Sequence, residues 1–237
     1  MINTTQSRFA RHSASMVLVF MPFASPHAAA QRVPAMFEFE EPERSFPALL
    51  QFPDVAGNFS IMLLCASQVE ASGKMTDTFC VIRNNGEVPF GQAVQKAAKK
   101  ARMTPAIIDG KEQKVYLQFR VEFIKEGDTE DIHIFSNTGD AENVEAYGSD
   151  FIAAQRVIGK EPWMKVCPAR AEYGITARAH VSVEGVASSV SLHHGYGIVP
   201  TGTCQEAVIR TIEGSLFTPA MVGDEPVPSA FVEPFGN

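Results

Sequence analysis

The fold is decided by residues 90–123, which read FGQAVQKAAKKARMTPAIIDGKEQKVYLQFRVEF. Apolar side chains recur at helical spacing from Phe90 to Ala101, and basic residues occupy the opposite side. Thr104-Pro105 ends this helix, and Asp109-Gly110 is a turn sequence. Strict alternation of apolar and polar residues from Val115 to Phe123 then predicts a half-buried strand. The stretch therefore predicts a helix, a turn and a strand.

The same pattern returns near the C-terminus. Val94 and Pro105 are 11 positions apart, and Val208 and Pro219 are also 11 positions apart. An apolar helical stripe precedes each proline, and a glycine turn follows it. We interpret the two stretches as copies of one unit.

Two predicted hairpins precede the two helices. The first joins an alternating strand, Phe59 to Glu70, to a second strand from Met75 to Arg83. The second joins Ile175 to Glu184 with Val186 to Leu192 through a turn at Gly185. Each unit is therefore expected to run strand, strand, helix, strand.

The four cysteines permit three disulfide pairings. If Ser72-Gly73 is a two-residue loop, Cys65 faces Cys80 as a hydrogen-bonded pair, with Cα atoms roughly 5.5 Å apart. A disulfide tolerates that separation. The remaining pair is then Cys167 with Cys204, which would join the loop before the second hairpin to the start of the second helix. Two free core thiols in the first hairpin remain the alternative interpretation.

The N-terminus has the three parts of a secretory leader. Residues 1–30 contain a positively charged start, an apolar run from Met16 to Phe23, and three alanines ending at Ala30. A membrane anchor is the alternative, but the run is shorter than the roughly 20 residues that span a bilayer, and Pro22 interrupts it. We therefore expect a periplasmic or secreted protein with no transmembrane anchor once the leader is cleaved.

Composition and motif content narrow the function. A formal net charge of −7 and a pI near 5.4 argue against nucleic acid as a partner, because phosphate binding needs clustered Lys and Arg. The sequence lacks a nucleophile elbow, a P-loop, a dinucleotide-binding fingerprint and the zinc-protease motif. His193 and His194 would point to opposite faces of a strand, which disfavours a shared metal ion. We therefore expect a non-catalytic protein with no cofactor and no metal.

These patterns predict an α+β fold of two tandem ββαβ modules, each a small antiparallel sheet packed by one helix. The expected division of the chain is a signal peptide at 1–30, a disordered lead-in at 31–53, a first module at 54–125, an acidic linker at 126–150 and a second module at 151–237.

The repeated unit resembles the C-terminal domain of TonB-type energy transducers. In that family two strands and a helix lead to an aromatic-x-Pro-Ala step, a polar glycine turn and a last strand. The residues that carry the resemblance are Gly73, Ala93-Val94, Met103-Thr104-Pro105-Ala106, Asp109-Gly110-Lys111 and Val115 to Phe123 in the first unit, and Gly185, Ala207-Val208, Phe217-Thr218-Pro219-Ala220, Gly223-Asp224 and Pro226-Val227 in the second. The paired cysteines of the first hairpin are similar to those of a disulfide-bearing subset of these periplasmic modules.

The resemblance implies a periplasmic protein of a Gram-negative bacterium that binds an envelope protein or peptide, with an outer-membrane receptor as a candidate and a link to TonB-dependent transport. In that family a receptor peptide adds a strand to the sheet edge. Carried over residue by residue, the partner-binding edge is the outward row Tyr116, Gln118, Arg120 and Glu122. The alternative is that the other unit, or Ile132 to Phe135, covers this edge.

The sequence also departs from the family. It contains no long Pro-rich spacer, an uncleaved anchor is not expected, and Met103 replaces the usual aromatic residue. Pro226, Pro228 and Pro234 interrupt the last strand of the second unit, which should weaken its ladder. A structural or cell-wall-associated envelope module without an energy-transducing role therefore stays open as an alternative function.

Overall fold

A computed structural model describes residues 32–169 and 172–236 as a mixed α+β fold. These two ranges contain five α-helices and fourteen strands in four sheets, and their ladders are antiparallel. The predicted leader at 1–30 lies outside the described residues.

The helices are α1 (Phe46–Leu49), α2 (Val88–Ala98), α3 (Ala141–Tyr147), α4 (Trp163–Val166) and α5 (Gly202–Glu213). The strands are β1 (Arg32–Val33), β2 (Phe59–Val69), β3 (Met75–Cys80), β4 (Ala106–Ile108), β5 (Lys111–Gln113), β6 (Val115–Glu126), β7 (Thr129–Phe135), β8 (Gln155–Val157), β9 (Tyr173–Val181), β10 (Ala187–Gly197), β11 (Phe217–Thr218), β12 (Ala220–Val222), β13 (Glu225–Val227) and β14 (Ser229–Phe235).

The larger sheet has six strands in the order β11-β8-β6-β2-β3, with β7 also beside β6. Alternate residues of β6 from Val115 to Phe123 are buried on one face, as the sequence pattern predicts. The apolar stripe of α2 covers this face, and the rings of Phe90 and Phe123 lie 5.1 Å apart. The helix and strand predicted from residues 90–123 are both present.

The smaller sheet has three strands in the order β10-β9-β14, and α5 packs into its core. Thr201 precedes α5, and its hydroxyl accepts a hydrogen bond from the Cys204 amide at 3.4 Å, which caps the helix. The Phe217 ring of β11 lies 4.9 Å from Phe231 of β14. One end of the six-stranded sheet therefore contributes to the second core.

The prediction of a disordered lead-in at 31–53 is wrong for residues 32–53. Phe37 and Phe46 are buried in the first core, with ring centroids 5.3 and 5.5 Å from that of Phe119. β1 pairs with β4, so this segment also joins a sheet. The glutamates between the two phenylalanines stay exposed, which gives the segment the composition of a disordered region although its aromatic side chains are core residues.

The segment predicted as an acidic linker, 126–150, is mostly regular structure. β7 pairs with residues Arg120 to Glu126 of β6. A short strand was predicted at Ile132 to Phe135, and β7 contains these residues and begins earlier, at Thr129. Asp140 caps α3 and also accepts a hydrogen bond from Arg178 of β9. Some of the acidic residues are thus helix caps and ion-pair partners.

The first hairpin brings Cys65 opposite Cys80, but by a different route from the expected two-residue loop. Gln68 faces Thr76 near the turn, and a bulge at Asp77, with φ of +49°, shifts the register before Cys65 is reached. The Cα atoms are 4.0 Å apart rather than about 5.5 Å, because Val81 donates to the Leu64 carbonyl and the cysteines occupy a non-hydrogen-bonded position.

The expectation that prolines weaken the last strand is wrong. β14 pairs with β9 over seven residues, from Ser229 to Phe235. Pro226 lies in β13 and Pro228 precedes β14, so only Pro234 interrupts the strand. Pro234 lies four positions after Ala230, so the backbone groups of the two residues point in the same direction. The Ala230 N–H points away from β9, and the N–H that proline lacks would therefore also lie on the outer side and not in the ladder with β9.

Both cysteine pairs are bonded, Cys65 to Cys80 and Cys167 to Cys204. Disulfides persist in oxidising environments, so they indicate an extracytoplasmic compartment. Proteolysis without reduction, followed by mass spectrometry, should recover these two linked peptide pairs. A Cys65 to Cys167 link would contradict this hairpin.

Candidate functional site

The row Tyr116, Gln118, Arg120 and Glu122 lies inside the six-stranded sheet. β2 pairs with β6 from Val115 to Lys125 on one side. On the other side, β7 pairs with residues 120–126 and β8 pairs with residues 115 and 116. The expected free edge is therefore wrong for Tyr116, Arg120 and Glu122, because the chain after β6 folds back; the stated alternative, cover by Ile132 to Phe135, holds for residues 120–123. A role of these side chains in contacting a partner stays a prediction.

Arg120 is held in place by the segment that covers the edge. Its guanidinium lies over the Phe135 ring, 4.5 Å from the centroid, and its Nη2 donates to Asn137 Oδ1 at 3.0 Å. Burial lowers the pKa of Arg120, and Glu122 partly opposes this effect. The side chain therefore stabilises the covering loop.

β10 is an open edge of the smaller sheet. It pairs with β9 on one side, and none of the described strands pairs with the other side. Most of its residues are exposed; these are Ser188, Ser189, Ser191, His193, His194, Gly195 and Gly197. A long exposed strand with unpaired backbone groups can accept an added strand.

The ladder shows which backbone groups of β10 point outward. Ala230 of β14 uses its N–H and C=O to bond the Asn143 side chain at 2.9 and 2.8 Å, so these groups point away from β9. Ala230 faces His180, and direction alternates along an antiparallel ladder. The even-numbered residues of β9 therefore bond β10, which leaves the N–H and C=O of Leu192 and His194 facing outward.

The outer edge of β14 is partly capped by α3. The Asn143 amide makes the two hydrogen bonds that a neighbouring strand would make to Ala230. Tyr147 donates from its hydroxyl to the Pro228 carbonyl at 2.6 Å. Side chains of α3 thus occupy positions that an added strand would need on β14.

A buried charge cluster lies where β8 meets β14. Arg156 donates from Nε and Nη2 to the two oxygens of Glu233 at 2.6 and 2.7 Å. Its Nη1 donates to Glu161 at 2.8 Å, and Trp163 donates from Nε1 to the other Glu161 oxygen at 2.6 Å. The side chains of Arg156 and Glu233 are only 4% and 6% exposed.

The environment shifts the pKa values of both buried partners. Loss of hydration is the largest influence on Glu233 and raises its pKa, while Arg156 offsets part of this effect. Burial alone would lower the pKa of Arg156, but the two carboxylates outweigh it and raise that pKa. Removing one partner would therefore leave a buried group without its compensating charge.

This charge cluster was not predicted from the sequence, although one signal for it is present there. β14 alternates with Ser229, Phe231, Glu233 and Phe235 inward, so Glu233 stands at a core position. A charged residue at a core position requires a partner. The partner comes from a three-residue strand, β8, which the sequence pattern does not indicate.

We call the part built on the six-stranded sheet and α2 the first half, and the part built on the three-stranded sheet and α5 the second half. The charge cluster forms the floor of a cleft between these halves, which we call the Arg156 cleft. Its volume is about 440 Å³, and its lining includes Tyr116 and Phe79 from the six-stranded sheet, Trp163 from α4 and Phe235 from β14. Tyr116 of the predicted row thus lines this cleft.

Comparison with known proteins gave no assignment: no family model matches this chain, and neither a curated protein nor a solved structure shows significant similarity. Among the helices of the described ranges, none is long and apolar enough to cross a membrane. Residues 32–169 and 172–236 contain no group of three or more His, Cys, Asp or Glu side chains that could hold a metal ion. His193 and His194 are both exposed.

Proposed function

We propose that this protein is a non-catalytic exported protein of the periplasm, built from two tandem TonB C-terminal-like ββαβ modules, which binds a protein or peptide partner by strand addition. The observation that carries the proposal is the open β10 edge, where Leu192 and His194 present outward N–H and C=O groups. An extended peptide can bond such groups and continue the sheet.

Equal strand order in the two halves supports the tandem arrangement. In the first half α2 lies in the chain between β3 and β6, and the strands β3, β2 and β6 are neighbours in that order. In the second half α5 lies between β10 and β14, and the order is β10, β9, β14. A two-stranded ladder follows each helix, β4 with β5 and β12 with β13.

A shared close contact supports the same interpretation. A Cβ atom at Gly73 would clash with the carbonyl oxygen of Met103, and a Cβ atom at Gly185 would clash with that of Phe217. Both glycines have positive φ, and both partners stand two residues before the proline of the repeated motif. The same hairpin-to-motif contact thus occurs in each half.

The partner edge differs from the one first expected because the two halves have different neighbours. β6 is covered by β7 and β8, and β14 is partly capped by α3. β10 has no lysine, arginine or proline to block pairing. Of the strands β6, β14 and β10, β10 therefore offers the longest uncovered edge for strand addition.

Replacing His194 by proline should reduce partner capture at least tenfold, because proline removes the outward N–H and its ring occupies that position. The matched control is His194→Ala, which loses the same side chain and keeps the N–H. Both variants and the wild type would be used to capture proteins from a Gram-negative envelope extract, with the retained proteins measured by quantitative mass spectrometry.

Circular dichroism and urea unfolding would first establish that both variants are folded. A protein retained by the wild type and by His194→Ala, but lost with His194→Pro, supports strand addition at β10. Equal retention by the proline variant argues against it and favours a structural or cell-wall-associated module.

A further inference from the structure

The Arg156 cleft has the size and walls of a small-molecule site. Its volume of about 440 Å³ lies in the range that ligand pockets occupy. Aromatic side chains from both halves line it, and Met164, 56% exposed, stands among its lining residues. Apolar walls lower the local dielectric constant and so strengthen any electrostatic contact made inside.

The charges that line the cleft do not balance. Asp77, Glu161 and Glu233 supply three carboxylates, and Arg156 is the one cationic side chain among the described lining residues. Arg156 is shared by Glu161 and Glu233, which are both mostly buried. Burial raises the pKa of Glu233 and so disfavours its charge, which leaves Glu161 and the exposed Asp77 against the single guanidinium, and the lining keeps an excess of negative charge.

The carboxylates are also held in position before any ligand arrives. Both oxygens of Glu233 accept from Arg156, and those of Glu161 accept from Arg156 and Trp163. A carboxylate oxygen accepts more than one hydrogen bond, so these groups can still receive donors from a ligand. An ammonium group supplies positive charge and three donors, whereas an anionic ligand would be repelled.

We propose that the Arg156 cleft binds an organic cation, namely a primary ammonium group on an apolar stem, such as the side chain of a lysine in a peptide. The ammonium group would interact with Glu161 and Asp77, and the stem would contact the aromatic walls. Tryptophan and tyrosine also attract cations through their rings. This site is separate from the β10 edge and does not depend on strand addition.

The probe for this proposal is N-acetyl-lysine methylamide, and the readout is intrinsic fluorescence. Trp163 is the one tryptophan in the chain, so its emission reports on the cleft. We expect a saturable change with the lysine derivative at low salt. The norleucine derivative, which has the same stem length without the charge, and the glutamate derivative should give none below tenfold higher concentration.

Two variants locate the site, with dissociation constants taken from the saturation midpoints. Asp77→Asn should weaken binding about threefold, because an exposed charge contributes modestly. Glu161→Gln should weaken it about tenfold, because this carboxylate is less exposed. Glu142→Gln, on a carboxylate outside the cleft, should leave the dissociation constant unchanged.

Equal responses to the lysine and norleucine derivatives would overturn the proposal. So would the absence of saturation up to tens of millimolar, or unchanged affinity in both cleft variants. His194→Pro should bind the lysine derivative as the wild type does, so failure of the cation site and failure of strand addition can be told apart.

Discussion

Replacing Glu233 by alanine is expected to lower the free energy of unfolding by about 3–5 kcal/mol, the usual cost of removing one partner of a buried ion pair. Glu233 accepts two hydrogen bonds from Arg156 at 2.6 and 2.7 Å, and the Arg156 side chain is 4% exposed. The variant would leave that guanidinium buried with Glu161 as its remaining partner among these contacts.

The measurement is urea unfolding, with stability taken from the midpoint and the slope. The matched control is Glu142→Ala, which removes a carboxylate that pairs with Arg178 at 2.6 Å but is 74% exposed. Surface ion pairs contribute little, so the control should cost less than about 1 kcal/mol. An equal loss in the two variants would contradict a special role for burial.

A double variant tests whether the loss in Glu233→Ala comes from the buried, uncompensated guanidinium of Arg156. Glu233→Leu combined with Arg156→Met removes both charges of this pair and keeps apolar volume, and Glu161 keeps its hydrogen bond from Trp163, so the double variant should be more stable than Glu233→Ala. A double variant that is less stable would instead show that the charges themselves hold β8 against β14.

The elements with a regular pattern of apolar residues could be predicted from the local sequence alone. The alternation of Val115 to Phe123 and the apolar stripe from Phe90 to Ala101 both correspond to observed elements, β6 and α2. The Cys65 to Cys80 pairing was predicted correctly, but it depends on the bulge at Asp77, because the register at the turn, where Gln68 faces Thr76, would otherwise place Cys65 opposite Phe79. These features depend on neighbours that are close in the chain.

Features that depend on distant neighbours could not be predicted in the same way. Phe46 sits in a charged, proline-containing segment, and its burial depends on Phe119, far along the chain. The pairing of β6 with β8 joins Tyr116 to Arg156 through a strand of three residues. A strand of three residues is too short to show an alternation of apolar and polar residues. For this reason neither the cover that β8 provides to β6 nor the Arg156 charge cluster could be predicted.

The covered edge of β6 and the Arg156 cleft both involve β8. If the halves are copies of one module, the first copy lost its outer edge when β7 and β8 paired with β6. The same β8 carries Arg156 into the second half and creates the cleft. Under the proposed duplication, β8 would therefore both cover one end of β6 and supply Arg156 to the cleft, and β10 is the edge that we propose for strand addition.

The proposed duplication predicts that Gly73→Ala and Gly185→Ala destabilise the protein similarly, each by about 3 kcal/mol. Their φ values are +75° and +67°, which cost an alanine about 1–2 kcal/mol. The added Cβ would also collide with the carbonyl oxygen of Met103 or Phe217. Such overpacking costs a further 1–3 kcal/mol, on the order of the backbone cost.

Two glycines in the turns that follow the helices separate these contributions. Gly110 and Gly223 also have positive φ, +73° and +59°, but a Cβ atom there would meet nothing within 4 Å. Gly110→Ala and Gly223→Ala should therefore cost only the backbone part, about 1–2 kcal/mol. Urea unfolding of the four variants measures the difference within each half. A large loss at Gly73 with a small one at Gly185 would show that the hairpin-to-motif contact does not have the same role in both halves.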